Sequence, residues 1–215
     1  MAIPIYDGFT ALDAIGPYEV MSRIPGASVT FLAAEPGPVR TDNKTLTILA
    51  ERTLDDAPHP DVVIVPGGPG DVVEHAGEPV LEWLRDAHRT STWTTSVCTG
   101  SLILAAAGLL DGKRATSHWL ALDRLRELGA EPAAERVVFD GKLVTAAGVS
   151  AGIDMALTLT ARIAGDLVAQ AIQLGIEYDP QPPFDAGSPQ KAPAAVVEAV
   201  RARTLARSSA ASSPR

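Results

Sequence analysis

The stretch Asp61-Val62-Val63-Ile64-Val65-Pro66-Gly67-Gly68 decides the fold that the sequence predicts. Its four consecutive β-branched residues indicate a strand buried on both faces, which is typical of the centre of a parallel sheet. Pro66 and the two glycines end that strand, and residues 79–89 have the pattern of a helix with Pro79 in its first turn. A buried strand followed by a helix is the repeating unit of open α/β sheets.

The same strand–helix unit recurs on both sides of this stretch. Residues 3–6 precede a helical segment at 10–22, and residues 93–97 precede another at 99–110. Repeated units of this kind connect by right-handed crossovers. We therefore predict an α/β fold, a doubly wound and mostly parallel sheet sandwiched by helices. Asp140-Gly141, between two short apolar runs, predicts a hairpin at one edge of that sheet.

Composition restricts the classes of function. The chain has 215 residues with a net charge of −8, which disfavours a nucleic-acid-binding surface. A single cysteine excludes a disulfide framework, and the four histidines lack metal-ligand spacing, so we expect no metal. No apolar run is long enough for a membrane span and no signal-peptide pattern is present, so we expect a cytoplasmic protein.

The composition changes near Tyr178, after which prolines recur. We predict a catalytic domain over residues 1–179 and a proline-rich extension over 180–207. The extension ends in a helix over about 194–207, which we expect to pack on the domain or on a dimer partner. Residues 208–215 are predicted to be a disordered tail.

Cys98 occupies the most suggestive position for chemistry. In Ser96-Val97-Cys98-Thr99-Gly100 it stands between a predicted strand and a predicted helix, with small neighbours, as in a nucleophile elbow. The helix N-terminus beside it favours the thiolate. The alternative interpretation is an ordinary buried core cysteine.

Other candidate residues follow neighbouring strands, where ligands bind in open α/β sheets. Asp13 lies in an apolar segment without a nearby cation, which suits either a general acid or base, or an ordinary aspartate near a helix N-terminus. Gly67 and Gly68 form either a backbone anion cradle or a tight turn. His118 follows a short strand and is either accessory to the site or structural.

Taken together, these motifs resemble the DJ-1/PfpI superfamily, and within it the isonitrile hydratases. The resemblance implies a flavodoxin-like fold of the DJ-1/PfpI type and a homodimer whose active site lies near the subunit interface. It extends over nearly the whole chain, in segments 8–13, 16–20, 64–68, 95–101, 105–116, 118–119, 150–154 and 177–184.

The resemblance also implies roles for individual residues. Cys98 is expected to be the nucleophile, Asp13 its partner carboxyl, and Thr99 a third member of the active site. Gly67 and Gly68 match the oxyanion region, and His118 is expected to be accessory. The expected reaction hydrates isonitriles to N-substituted formamides through a Cys98 thioimidate, with Asp13 as general acid and base and without a cofactor. An apolar pocket that includes Ile15 and Trp119 would suit hydrophobic isonitriles.

Three other functions remain open at this stage. The same thiolate could serve a glyoxalase-like or amide-hydrolysing enzyme, or an oxidisable Cys98 could make the protein a redox-sensing stress protein. A ligand-binding regulator is the third. Regulators of the AraC type carry a DNA-binding module after a similar domain, and the 36 residues after Asp179 show no helix-turn-helix pattern.

Overall fold

The computed structural model of the chain describes residues 1–211. It divides into two compact units, Met1–Ile176 and a second unit that begins at Glu177. The change between units falls within three residues of the boundary predicted after Asp179. The first unit holds the sheet and the candidate site.

One sheet organises the first unit, with strands in the order β10-β11-β7-β6-β1-β2-β5. All its neighbouring pairs are parallel except β10 and β11, which form an antiparallel hairpin at one edge. Smaller pairs are formed by β3 with β4 and by β8 with β9. The strands are β1 (Ala2–Pro4), β2 (Thr30–Ala33), β3 (Gly37–Arg40), β4 (Thr47–Ala50), β5 (Arg52–Thr53), β6 (Val62–Val65), β7 (Trp93–Val97), β8 (Arg114–Ala115), β9 (Glu131–Pro132), β10 (Val137–Asp140) and β11 (Leu143–Ala146).

Helices cover the sheet in two groups. The helices α1, α5 and α6 pack together, and α2, α3 and α4 form the other group. A short 3-10 helix at Trp119–Ala121 leads into α4. The helices are α1 (Ala11–Met21), α2 (Val72–Thr90), α3 (Gly100–Ala106), α4 (Leu122–Glu127), α5 (Ala151–Ala164), α6 (Asp166–Gly175) and, in the second unit, α7 (Ala194–Ala211).

The central strand explains why the two layers form. All four residues of β6 are buried, as a strand covered on both faces requires. Along the neighbouring β7, side chains alternate between the faces: Val97 packs against Gly152 of α5, whereas Thr94 hydrogen-bonds to His88 of α2. The predicted doubly wound, mostly parallel α/β sheet is confirmed, and so is the hairpin at its edge.

Some boundaries differ from the predicted ones for local reasons. The α2 helix begins at Val72, but Gly77 interrupts it with φ 75°, so that Pro79 opens a second helical segment as predicted. The α3 helix stops at Ala106, four residues before its predicted end, because the chain turns at Gly108 with φ 80°. The strands β3, β5 and β9 were not predicted, since two to four residues are too few to show a strand period.

The second unit contains α7. This helix extends to Ala211, four residues beyond its predicted end, because alanine, arginine and serine at its C-terminal end are compatible with a continuing helix. Part of the predicted disordered tail, residues 208–211, is therefore helical, and residues 212–215 lie outside the described residues. Packing of the 180–207 extension on the domain or on a partner stays a prediction.

Candidate active site

Cys98 occupies a strained turn between β7 and α3. Its φ is 58°, a left-handed conformation that is unfavourable for a residue with a side chain. The backbone around it compensates: its N–H donates to the carbonyl oxygens of Ala146 (3.1 Å) and Ala147 (3.0 Å). Its carbonyl accepts the hydroxyls of Ser101 (3.2 Å) and Ser117 (3.0 Å). The turn is therefore held from both sides, as a nucleophile elbow must be.

Glycines allow the elbow to approach the end of β6 closely. A Cβ atom on Gly100 would lie 2.2 Å from the carbonyl oxygen of Val65, and one on Gly67 would lie 2.5 Å from Thr99 Oγ1 and 2.6 Å from Thr99 N. All three distances are far below van der Waals contact. The carboxyl ends of β6 and β7 therefore meet only because these two positions carry no side chain.

Asp13 lies on α1 and is fully buried, with 0% of its surface exposed. Its Oδ2 accepts a 2.9 Å hydrogen bond from the N–H of Gly67, and no N–H or O–H donor of the described residues reaches its Oδ1. Burial raises the pKa of this carboxyl to about 7, although the Gly67 N–H and the Cys98 thiol beside it lower the pKa in part. Asp13 thus exchanges its proton near neutral pH, as a general acid and base requires.

The Cys98 thiol is buried beside this carboxyl, with 6% of the residue exposed. Burial, and then the charge of Asp13, raise the pKa of the thiol to about 12. The backbone N–H groups of Val149 and Thr99 and the Thr99 side chain act in the opposite direction. Desolvation therefore outweighs the backbone donors at the helix N-terminus, and the resting Cys98 keeps its proton beside Asp13.

Thr99 and Gly68 are joined by two hydrogen bonds. The Thr99 hydroxyl donates to the Gly68 carbonyl at 2.7 Å and accepts the Gly68 N–H at 2.9 Å. The N–H of Gly67 is already bonded to Asp13. Both glycine N–H groups are engaged within the protein, so neither is open to an anion as the cradle interpretation of the sequence requires, whereas the tight-turn interpretation does not require it. The donors that face the sulfur are those of Thr99 and Val149.

His118 is half-buried and forms a hydrogen bond with the backbone. Its Nδ1 accepts the N–H of Leu120 at 3.3 Å, which begins the 3-10 helix, and burial lowers the pKa of the imidazole. The ring lies so close to Gly148 that a Cβ there would be 2.8 Å from His118 Cδ2. Since Gly148 precedes Val149, the histidine supports the loop that faces Cys98, in line with an accessory role.

The two predicted pocket residues occupy separate elements. Ile15 is half-buried on α1, two residues after Asp13, and Trp119 is half-buried in the 3-10 helix with its ring centroid 5.8 Å from that of His118. Each therefore follows a predicted site residue closely in the chain.

Two residues near the sulfur were not found from the sequence. Tyr6 lies in the loop after β1, where burial, followed by the charges of Asp13 and Cys98, raises the pKa of its phenol. The sequence feature that could have indicated Tyr6 is its position just beyond the end of a strand, where ligands bind in open α/β sheets. Val149 contributes a backbone N–H from a residue with φ 31°, and such a contribution has no sequence signature.

Within residues 1–211, no group of three or more histidine, cysteine, aspartate or glutamate side chains is arranged to hold a metal ion. Across the same residues, no helix combines the length and apolar character needed to cross a membrane.

The fold and the site together define a class: α/β proteins with a cysteine at a nucleophile elbow and a buried carboxyl beside it. The chain belongs to the DJ-1/PfpI family, whose profile matches residues 1–162. The family expected from the sequence motifs is thereby confirmed.

Similar proteins include an isonitrile hydratase of Pseudomonas putida, 47% identical over 192 residues, or 89% of this chain and 84% of that protein. The HTH-type transcriptional regulator CdhR of Pseudomonas aeruginosa is 30% identical over 173 residues, but they span 51% of its length. Among solved structures, a ThiJ/PfpI family protein of Pseudomonas syringae superposes with a TM-score of 0.89 at 38% identity, covering 99% of this chain and 90% of that one.

The close approach at Gly67 leads to a first prediction. We expect Gly67→Ala to destabilise the protein by about 2–4 kcal/mol and to impair catalysis, because the new methyl group must displace the backbone of the elbow. Chemical unfolding and turnover measure the two effects. Gly175→Ala is the matched control, since a Cβ there meets no atom within 4 Å. Equal stability of the two variants would contradict the packing described.

The raised pKa of Asp13 leads to a second prediction, on stability. Since the pKa in the folded state is about 7 and the ordinary value is 3.8, the contribution of Asp13 to the free energy of unfolding is lost as the pH rises from about 4 to about 7. Asp13→Asn stays neutral throughout. The free energy of unfolding of Asp13→Asn, relative to that of the wild type, should therefore be about 1–3 kcal/mol higher at pH 8 than at pH 5. Urea unfolding at both values measures this gain, and a pH-independent difference would contradict it.

Proposed function

We propose that this protein is an isonitrile hydratase, a cofactor-independent hydro-lyase that converts isonitriles to N-substituted formamides. The observation that carries the proposal is the buried pair formed by the Asp13 carboxyl and the Cys98 thiol at the elbow. The 47% identity to the Pseudomonas putida isonitrile hydratase supports the same reaction.

The pair suits the chemistry of an isonitrile carbon. This terminal carbon is weakly basic, and it becomes electrophilic once it is protonated. A catalyst therefore needs a proton donor and a nucleophile on the same atom. Asp13 and Cys98 supply both from adjacent side chains, in surroundings that exclude most water.

The first half of the reaction forms a covalent intermediate. The ionised Asp13 carboxyl takes the proton of the Cys98 thiol and passes it to the isonitrile carbon. The sulfur forms a bond to that carbon, and the carbon–nitrogen triple bond becomes a double bond. The product is a thioimidate, in which one proton has moved from sulfur to carbon and no other group has been consumed.

The second half of the reaction releases the product. Asp13, again ionised, accepts a proton from a water molecule as the water oxygen bonds to the thioimidate carbon, and it passes this proton to the nitrogen. The tetrahedral species then collapses: the carbon–sulfur bond breaks, the hydroxyl oxygen becomes the carbonyl oxygen of the formamide, and Asp13 transfers the hydroxyl proton to the leaving thiolate. The N–H groups of Thr99 and Val149, which face the sulfur, stabilise its charge as it leaves.

This scheme determines the protonation state that reacts. Below a pH of about 7 the pair holds two protons, one on each residue, and above it the pair holds one. Transfer from thiol to carboxylate to carbon requires the one-proton state. We therefore propose that kcat/KM rises with pH through about 7 and then remains level.

The remaining site residues are given supporting roles. Gly67 holds the carboxyl of Asp13, Gly68 holds the hydroxyl of Thr99, and His118 supports the loop before Val149. We assign Ile15 and Trp119, which lie two residues after Asp13 and one residue after His118, to an apolar wall for the substituent of the isonitrile.

The proposal has two further parts: a homodimer, which the family resemblance implies, and a cytoplasmic location, which is the expectation from the sequence. A homodimer would cover apolar side chains that the single chain exposes. Leu167 and Leu174, seven residues apart on α6, are 83% and 78% exposed.

The experiment that tests the proposed function is direct. The purified protein is incubated with a small alkyl isonitrile, and the formyl proton of the formamide is followed by NMR. Methylglyoxal and a simple amide are offered in parallel. Formamide production supports the proposal. Consumption of methylglyoxal or the amide, with the isonitrile left intact, would instead indicate the glyoxalase-like or amide-hydrolysing alternative.

A further inference from the structure

Tyr6 makes a buried hydrogen bond that the proposed mechanism does not use. Its side chain lies just beyond the carboxyl end of β1, and 6% of the residue is exposed. The hydroxyl donates to the carbonyl oxygen of Pro66 at 3.1 Å, across 60 residues of sequence. Pro66 follows the neighbouring strand β6, so this bond joins two adjacent strand ends at the site.

The carbonyl that Tyr6 contacts belongs to the peptide group that holds Asp13. The carbonyl of Pro66 and the N–H of Gly67 are the two ends of one peptide unit, and this N–H donates to Asp13 Oδ2 at 2.9 Å. The phenol, the peptide and the carboxyl therefore form one continuous series of hydrogen bonds. Bonds in such a series polarise one another, so a donor on the carbonyl makes the N–H at the other end a stronger donor.

The orientation of this peptide does not depend on Tyr6 alone. The next carbonyl, that of Gly67, accepts the N–H of Thr10 at 2.8 Å. A Cβ on Gly67 would lie 2.6 Å from Thr99 N, and one on Gly100 would lie 3.0 Å from Pro66 O, so the peptide is wedged against the elbow. Removing only the hydroxyl of Tyr6 should leave the peptide in place and weaken its hydrogen bond to Asp13.

We propose that Tyr6 is a positioning residue that acts through the Pro66–Gly67 peptide to favour the ionised, proton-accepting form of Asp13. The link from this effect to turnover rests on the proposed function, whereas the effect on Asp13 does not. The other titratable groups that influence Asp13 are the Cys98 thiol and the more distant Asp42 carboxyl. Both are unchanged when the hydroxyl of Tyr6 is removed.

The test is Tyr6→Phe, which keeps the ring and removes the hydroxyl. With aspartate labelled at its carboxyl carbon, the NMR signal of Asp13 is assigned by its loss in Asp13→Asn and then titrated. We expect the midpoint of Asp13 to move to higher pH by about half a unit, because the ionised carboxyl loses part of its stabilisation. Tyr18→Phe is the matched control: its ring packs on Phe31, with centroids 5.3 Å apart, and its loss of a hydroxyl should leave the midpoint unchanged.

A second experiment makes the hydroxyl of Tyr6 a stronger hydrogen-bond donor instead of removing it. It tests the proposal even if Tyr6→Phe folds poorly. The chain has three tyrosines. In a variant with Tyr18 and Tyr178 replaced by phenylalanine, fluorotyrosine enters only at Tyr6. A more acidic phenol is a better donor, so the midpoint should move to lower pH than in the same variant with ordinary tyrosine. Midpoints that stay in place, or that move in the opposite directions, would overturn the proposal.

The pH profile of isonitrile hydration separates this inference from the proposed function. If the profile of Tyr6→Phe moves to higher pH together with the Asp13 midpoint, both are supported. If the midpoint moves and the profile does not, the role of Tyr6 stands and the proposed role of Asp13 in turnover fails. If the profile moves without the midpoint, Tyr6 acts by another route and the inference is wrong.

Discussion

Cys98→Ala should lose essentially all isonitrile hydration, with a fall in kcat/KM of at least about 10⁴-fold. The reason is that alanine leaves no atom to form the thioimidate, while Asp13 alone supplies only a proton. Cys98→Ser should be nearly as inactive, because its hydroxyl is a far weaker nucleophile than a thiol at this site. Formation of the formamide, followed by NMR, measures the loss.

Folding has to be controlled in this experiment, because Cys98 lies at a strained turn with φ 58°. Alanine and serine keep the Cβ atom, and the hydrogen bonds of the N–H and carbonyl groups at position 98 do not depend on the side chain. The two variants should therefore unfold at nearly the wild-type temperature. Circular dichroism and thermal unfolding verify this. A well-folded Cys98→Ala protein that hydrates isonitriles at the wild-type rate would show that the sulfur is not the nucleophile.

Asp13→Asn should reduce kcat by about 10²–10⁴-fold, the usual contribution of a general acid and base. The amide keeps the shape of the carboxyl and can still accept the N–H of Gly67, but it cannot take the thiol proton or deliver it to carbon. Glu19→Gln is the matched control. Glu19 lies on the same helix and pairs with Arg23 at 2.7 Å at the surface, so its loss should change kcat less than twofold.

The pH profile distinguishes a chemical from a structural role of Asp13. Because the pKa of Asp13 is raised to about 7, the wild-type kcat/KM should rise through that value as the pair loses its second proton. The residual activity of Asp13→Asn should lack this rise. A variant with the same inflection near pH 7 would mean that another group titrates there.

The parts of this structure that were predictable depend on neighbours in sequence. The elbow at Cys98 was predictable because the strand, the small residues beside Cys98 and the helix are adjacent in the sequence. The bounds of α1, Ala11–Met21, agree to within one residue with the helical segment predicted at 10–22, because its apolar residues repeat with helical spacing. The hairpin at Asp140-Gly141 is encoded by two adjacent residues.

The parts that were missed depend on contacts between distant segments. The bond of Tyr6 to Pro66 exists because β1 and β6 are neighbours in the sheet, and a single sequence does not state strand order. The high pKa of the Cys98 thiol follows from burial beside Asp13, which the helix N-terminus alone does not reveal. The occupied N–H groups of Gly67 and Gly68 likewise depend on Asp13 and Thr99, which other segments supply.

The proposed bond between the isonitrile carbon and Cys98 can be observed by rapid-quench mass spectrometry of a single turnover. The protein should gain the mass of one isonitrile, a digest should place this mass on the peptide containing Cys98, and the adduct should decay as the formamide appears. A complete turnover during which the mass of the protein never changes, with Cys98→Ala equally active, would contradict this proposal.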